Sequence, residues 1–208
     1  MLATRFRRPV GDIGNPASFD GPVLYRTIEL ATPERVVRGD PRALLPLFVE
    51  AGRALAGDGA TLISTSCGFL SLFQRDLEAA LPVPVIASSL TILPRLTRPA
   101  VLTIEAASFS DAHLEAAGTT SDTPRCGMDG THFTRAIMRG DVPLDVGRAE
   151  REHVAAARAL IEAHPQTSDI VLECTNMGPY RAAVERSVER PAHSIVSILR
   201  ERLASQRD

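Results

Sequence analysis

Two of the three cysteines stand in the same kind of sequence context. Cys67 lies in ATLISTSCGF and Cys174 in DIVLECTNMGPY, so each follows an apolar run that predicts a strand. A short turn containing glycine comes next, and then a helical pattern. In a parallel sheet this order places both thiols at the carboxyl edge, where open α/β sheets bind ligands. Cys126, in TPRCGMD, shares none of this context and is predicted to pack as a small apolar residue.

A thiol at the start of a helix can exchange protons near neutral pH. Unpaired N–H groups and the positive end of the helix dipole favour its thiolate form. An ordinary thiol titrates at about 8.5, so a modest lowering of its pKa makes it a usable base. Cys67 and Cys174, facing one cleft, would form a matched acid and base.

The polar neighbours of the two cysteines suit a small anionic ligand. Thr65 and Ser66 precede the first cysteine, and Thr175 and Asn176 follow the second. Their hydroxyl and amide groups, together with helix-start N–H groups, can bind a carboxylate. The same residue types are preferred as helix caps. The sequence leaves both roles open for each residue.

Lysine is absent, since all 23 basic residues are arginine. A pyridoxal-phosphate enzyme needs a lysine for its Schiff base, and a Walker phosphate loop needs one for the terminal phosphates. Both classes are excluded. The five histidines are scattered without HExxH or other ligand spacing, so no metal site is predicted.

Charge and aromatic content argue against nucleic-acid or membrane-surface partners. The 25 acidic residues nearly balance the basic ones, aromatic residues make up 4%, and the one basic cluster is Arg5, Arg7 and Arg8. No stretch approaches the roughly 20 apolar residues of a membrane span, and the first residues lack a signal-peptide pattern. Three cysteines are too few for a disulfide framework. We expect a cytoplasmic protein with reduced thiols.

Apolar runs alternate with helical patterns, which predicts an α/β fold with mostly parallel strands. Residues 7–19 are predicted to form a short strand that ends in the GDIGNP turn, whereas residues 119–147 show no clear pattern. The other predicted strands are 60–65, 83–89, 100–108 and 168–174, and the predicted helices are 42–59, 69–81, 110–118, 148–163, 178–190 and 194–208. A crossing at Leu96–Pro99 would separate two halves, 1–96 together with 190–208, and 97–189.

The motifs ISTSCGF and LECTNMGPY, with the early GDIGNP turn, resemble the aspartate/glutamate racemase superfamily. That superfamily includes cofactor-independent amino-acid racemases, hydantoin racemases, maleate isomerases and arylmalonate decarboxylases. The resemblance covers most of the chain, and Cys-Thr after the second strand is its more specific part. It implies two similar Rossmann-like or flavodoxin-like halves, related by a pseudo-twofold axis, with mostly parallel sheets and the active site between them.

The resemblance also implies roles for particular residues. Cys67 and Cys174 would flank the α-carbon of the substrate, one removing a proton as thiolate and the other returning one as thiol, with no cofactor. Thr175 and Ser108 would hold the carboxylate. Asn15, after the first predicted strand, would line the same pocket. The predicted substrate-binding set is Asn15, Thr65, Ser66, Gly68, Ser108, Thr175 and Asn176.

Departures from the family pattern leave the substrate open. Many amino-acid racemases carry Asn-Thr after the first cysteine, where this chain has Gly68-Phe69. Glutamate racemases place a histidine where this chain has Asn176, and the Cys-Thr-Asn order is more similar to maleate isomerases. Having both cysteines argues against simple decarboxylation, which in this superfamily needs one.

The function predicted is that of an isomerase, a racemase or epimerase of a small amino acid or related carboxylate. A maleate-type cis-trans isomerase and a hydantoin racemase are alternatives on the same fold. A non-catalytic small-ligand or redox-sensing protein is the alternative of another class. The expected partners are a small carboxylate-bearing substrate and, as a homo-oligomer such as a dimer, further copies of the chain.

Overall fold

A four-stranded parallel sheet forms the larger part of the core. The structure, a computed structural model, describes residues 1–205. The strand order is β4 (Arg125–Gly127), β3 (Pro99–Thr103), β5 (Asp169–Leu172) and β6 (Ala192–His193). The central strands β3 and β5 are almost entirely buried, and their apolar residues run continuously because both faces of the sheet are covered.

A smaller parallel sheet pairs β1 (Ile63–Ser64) with β2 (Val85–Ile86). The seven α-helices of the described chain are α1 (Leu45–Gly57), α2 (Gln74–Ala80), α3 (Asp111–Ala116), α4 (His132–Arg139), α5 (Val146–Ala163), α6 (Arg181–Val188) and α7 (Ile195–Ala204). The prediction of an α/β fold with parallel strands is confirmed.

The long helix α5 covers one face of the larger sheet. It lies against β3 and β4 and packs beside α4 and α6. Its first turn is stabilised by Asp145, whose carboxylate accepts a hydrogen bond from the N–H of Arg148. The 3₁₀ helix Ser89–Arg95, which follows β2, packs against β5. The two sheets therefore share one apolar core.

Residues 7–19 contain the predicted turn but not the predicted strand. The chain turns at Gly11, which has a φ of +100°, and Asn15 caps the short 3₁₀ helix Pro16–Ser18. Asp12 holds this turn by accepting hydrogen bonds from the Arg8 guanidinium and the Gly14 N–H. Polar groups of this segment are therefore paired by local hydrogen bonds to a side chain and not by hydrogen bonds to a neighbouring strand.

The poorly patterned stretch 119–147 contains β4 and α4. Its strand has only three residues and its helix only eight, too few for a clear apolar period. Thr131 caps α4, and Gly140 ends it in the left-handed conformation, with a φ of +62°.

The C-terminal part of the chain contacts both sheets. Ala192–His193 pairs with β5, and α7 then packs its apolar side chains with Ile13 beside the smaller sheet. The two-part division of the chain made from the sequence stays a prediction. The predicted last helix ran to Asp208, and residues 206–208 lie outside the described residues. Within residues 1–205 no helix has both the length and the apolar character needed to cross a bilayer.

His153 is buried between α5 and the helices beside it. Its ring stacks on Tyr180, with 4.3 Å between ring centroids, and meets Phe133 edge-on at 4.5 Å. Its Nδ1 lies 2.7 Å from the carbonyl oxygen of Ala149. Burial lowers the pKa of His153 to about 4, so the ring is neutral in the folded protein at neutral pH.

The depressed pKa of His153 predicts that acid destabilises the fold. The unfolded chain takes up this proton near pH 6.5, whereas the folded chain takes it up only near pH 4. The contribution to stability is therefore fully present above pH 6.5 and is lost as pH falls toward 4, by about 3 kcal/mol. His153→Phe should flatten this part of the curve of unfolding free energy against pH, measured by urea denaturation.

The exposed His164 offers the matched control. His164→Phe should leave the acid dependence of unfolding unchanged. An unaltered acid dependence in His153→Phe would show that the buried ring is not its source.

Candidate active site

The two cysteine motifs meet backbone to backbone. Gly68 lies so close to Glu173 that a side chain at position 68 would overlap both the carbonyl oxygen and the carboxylate of Glu173. Each of these residues is bonded in sequence to a cysteine, Cys67 or Cys174. The missing side chain of Gly68 is thus what permits the carboxyl edges of the two sheets to come together.

Both cysteines line one small cavity between the sheets. Its volume is about 20 Å³, room for about one water molecule. Its walls are apolar except for the thiols, Glu173 and three polar side chains. The lining residues are Leu2, Thr4, Pro33, Val37, Ser66, Cys67, Ile104, Ile137, Met138, Glu173, Cys174 and Asn176. Cys67 and Cys174 are buried free thiols.

Cys67 is positioned by the end of β1. The hydroxyl of Thr65 donates to the carbonyl oxygen of Ala87, at 2.7 Å, and also to that of Cys67. The chain is extended at Cys67 and then enters the 3₁₀ helix Gly68–Phe73. Phe69 of this helix packs edge-on against Phe109, which lies in the segment after β3.

Cys174 is positioned by the end of β5 and by a chain of buried hydrogen bonds. Its thiol donates to Oδ1 of Asn176 at 3.4 Å, and Nδ2 of Asn176 donates to Oδ2 of Asp12 at 2.7 Å. Asp12 is paired with Arg8 at 2.8 Å. The ion pair therefore fixes the amide so that its oxygen faces the sulfur, an acceptor for the protonated thiol.

The thiols have raised pKa values, contrary to the expectation from their helix-start positions. Burial is the main cause for both, and the nearby Glu173 carboxylate adds to it. Backbone N–H groups oppose the rise, those of Phe69 and Leu70 at Cys67 and that of Asn176 at Cys174. Desolvation outweighs these dipoles because both thiols are buried.

Glu173 is the charged residue of the cavity that sequence reasoning missed. It is fully buried, and its Oε2 accepts hydrogen bonds from the Thr103 hydroxyl at 2.9 Å and the Ile104 N–H at 3.3 Å. No described residue hydrogen-bonds to its other oxygen, Oε1. Burial raises the pKa of Glu173 to about 7. The signal was a lone acidic residue at the end of an otherwise apolar strand, in VLEC.

Two hydroxyl groups that line the cavity are available as hydrogen-bond donors. Thr4 Oγ1 accepts a hydrogen bond from Arg8 at 2.8 Å, and Ser66 Oγ accepts one from the Leu2 N–H at 2.8 Å. Within the described chain neither O–H has an acceptor, so both protons can be given to an anionic ligand.

The remaining predicted site residues do not line this cavity. The cavity lining does not include Asn15, Thr65, Ser108 or Thr175. Gly68 is also outside the lining, and its contribution is to let the backbone approach Glu173. Asn15 donates to the Arg8 carbonyl and caps its own turn, so that Asp12 is the residue of the GDIGNP segment that reaches Asn176. Thr175 is buried, and its hydroxyl has no described partner.

Ser108 contacts an ion pair whose two residues follow Val37 and Ile104 of the cavity wall. Its hydroxyl donates to Glu105 at 2.6 Å, and Arg38 binds the same carboxylate through two nitrogens, at 2.6 and 3.0 Å. The hydrogen bonds from Arg38 are the main reason that the pKa of Glu105 is lowered. Arg38 ends the helical turn Glu34–Arg38, whose Val37 forms part of the cavity wall.

The described residues contain no group of three His, Cys, Asp or Glu side chains arranged to hold a metal ion. The chemistry that the arrangement itself can perform is proton transfer, since it places two thiols, two hydroxyl donors and one carboxyl group around one space.

Comparison with known sequences finds similarity to dimethylsulfoniopropionate lyases. The chain is 28% identical over 202 residues to a dimethylsulfoniopropionate lyase of Durusdinium sp. clade D, covering 89% of this chain and 66% of the relative. It is 29% identical over 222 residues to dimethylsulfoniopropionate lyase 3 of Emiliania huxleyi, covering 96% and 56%. The chain thus spans between about half and two thirds of these relatives. No protein-family model matches it.

Comparison with solved structures confirms the predicted fold. A glycine-to-cysteine variant of arylmalonate decarboxylase, in a sulfate-associated form, aligns with a TM-score of 0.63 at 20% identity, covering 95% of this chain and 91% of that one. An aspartate racemase homologue from Pyrococcus horikoshii aligns with a TM-score of 0.53 at 16% identity, covering 90% and 86%. The chain therefore has the fold of the aspartate/glutamate racemase superfamily.

The close approach of Gly68 to Glu173 predicts a strong effect of one methyl group. Gly68→Ala should lower the free energy of unfolding by about 1–3 kcal/mol, because the added carbon overlaps backbone that cannot move freely. Chemical denaturation measures this change.

Gly57→Ala is the control, since a side chain at position 57 would contact nothing within 4 Å. Equal stability of Gly68→Ala and the parent protein would contradict the close contact between the two cysteine motifs.

Proposed function

We propose that this protein is an enzyme that removes a proton from the carbon next to a carboxylate, using a cysteine thiolate, and that its substrate is dimethylsulfoniopropionate. The observation that carries the first part is the pair of buried thiols, Cys67 and Cys174, on one cavity. The names of the sequence relatives supply the substrate and the lyase reaction.

The reaction is a β-elimination. The thiolate takes a proton from C2 of the substrate, and the C2–H electron pair forms the C2–C3 double bond. The bond from C3 to sulfur breaks, and its electrons leave with dimethyl sulfide. Acrylate remains, and the proton held by the thiol passes to water when the site opens. No oxidant, reductant or cofactor enters this balance.

The other polar groups of the cavity suit the same step. As the proton leaves C2, negative charge builds on the substrate carboxylate, and O–H donors directed at it lower the barrier. The hydroxyls of Thr4 and Ser66 can supply those bonds. The apolar walls, including Val37 and Ile137, suit the methyl groups on sulfur and keep water from the thiolate.

Substrate entry requires the cavity to enlarge, since about 20 Å³ holds only one water molecule. The turn Glu34–Arg38 is the wall that we propose moves. One pairing, from Arg38 to Glu105, ties that turn to the loop after β3. Opening there breaks the partly buried ion pair of Arg38 and Glu105 and uncovers Val36 and Val37, which are buried in the core.

Racemisation is the second candidate, and the presence of two cavity thiols favours it. Elimination needs a single base, whereas inversion of a carbon centre needs a base on one face and an acid on the other. Isomerase activity on amino acids, hydantoins or maleate would use Cys67 and Cys174 together.

The test combines product analysis with cysteine variants. The purified protein is expected to release dimethyl sulfide, detected by gas chromatography, and an equal amount of acrylate. At least one of Cys67→Ala and Cys174→Ala should lose 100-fold or more in kcat/KM, the range found for general-base catalysis. Cys126→Ala, on a thiol outside the cavity, should keep full activity.

The same proteins, incubated in deuterium oxide with amino acids, hydantoins and maleate, test the second candidate. Deuterium incorporation that needs both site cysteines, without dimethyl sulfide release, would replace the lyase by an isomerase. Neither reaction in the parent protein, or activity untouched in both cavity variants, would contradict thiol chemistry altogether.

A further inference from the structure

The carboxyl group of Glu173 is unusual in being buried with half of its hydrogen-bonding capacity unused. Oε2 is satisfied by Thr103 and Ile104, whereas Oε1 has no partner among the described residues. A buried carboxylate without a cation is costly and is normally paired. Among residues 1–205 no arginine or histidine lines this cavity, so the protein itself supplies no cation there.

We infer that Glu173 binds the positively charged group of the substrate. This inference rests on the proposed function and extends it, because it defines the substrate class as carboxylates with a sulfonium or quaternary ammonium group on C3. Glu173 is a substrate-binding residue in this account, and the thiols remain the acid and base.

The surroundings of Glu173 fit such a cation better than they fit a second hydrogen-bond donor. Alkylated sulfonium and ammonium groups carry charge without N–H or O–H protons, so they need an anion beside apolar walls. Ile104, Ile137 and Met138 provide these walls, and Glu173 provides the single negative charge. The hydroxyls of Thr4 and Ser66 remain for the carboxylate at the other end of the same ligand.

Pairing Glu173 with a cation also changes the pKa of the thiols. The negative charge of Glu173 raises the pKa of both Cys67 and Cys174. A cation bound at that carboxylate offsets its field, so thiolate forms more readily when the right substrate is present. The free site then holds mainly thiols, and the loaded site holds a base where one is needed.

The experiment compares two ligands of the same shape and different charge. 3-(Trimethylammonio)propionate is cationic at the far end, and 4,4-dimethylpentanoate replaces its nitrogen by carbon. Isothermal calorimetry on the full chain should show at least tenfold tighter binding of the cationic ligand. Glu173→Gln, which keeps the shape and the acceptor for Thr103, should weaken the cationic ligand at least tenfold and the neutral one less than twofold.

The overturning results are distinct. Failure of the parent protein to prefer the cationic ligand contradicts the inference, and so does an equal loss of both ligands in Glu173→Gln, which would mark a purely structural carboxyl group. Dimethyl sulfide release without a charge preference leaves the proposed function standing and this inference wrong. A Glu173-dependent preference without dimethyl sulfide release supports this inference and contradicts the proposed lyase function.

A measurement on the parent protein alone covers a variant that fails to fold. Because the pKa of Glu173 is about 7, lowering the pH from 8 to 6 protonates it and should reduce the preference for the cationic ligand. The other titratable groups that face it across the cavity are the thiols of Cys67 and Cys174, whose raised pKa values keep them neutral over this range in the ligand-free protein. A preference that is constant between pH 6 and 8 contradicts the inference.

Discussion

The close contact between Gly68 and Glu173 holds the site together. It brings the end of β1, from the smaller sheet, against the end of β5, from the larger one, and thereby sets Cys67 beside Cys174 on one cavity. The rest of the arrangement depends on this approach. The ionisable groups that line this cavity are buried, so each must be neutral or find a partner.

Desolvation then controls the chemistry. Burial raises the pKa of both thiols and of Glu173, so the closed cavity resists holding more than one negative charge. The buried pair of Asp12 and Arg8 lies behind Asn176 and orients its amide toward Cys174. In the proposed function, thiolate forms more readily when a ligand brings a compensating positive charge into the site.

Much of the fold could be predicted from the sequence, because β3, β5 and α5 have long, clear apolar patterns. The paired contexts of Cys67 and Cys174 likewise predicted that they would meet at strand ends. The strand predicted in residues 7–19 is absent, since side-chain bonds of Asp12 hold this segment in a turn. The raised thiol pKa values and the role of Glu173 depend on burial by distant segments, which local residue types do not reveal.

Protection of the thiols by a ligand tests most directly whether Cys67 and Cys174 share one site. Iodoacetamide labelling followed by mass spectrometry gives the rate at which each cysteine reacts. A single ligand between the two thiols predicts that 3-(trimethylammonio)propionate slows labelling of Cys67 and Cys174 by the same factor and leaves Cys126 unchanged. Protection of one cavity thiol without the other, or of neither, would contradict a shared site.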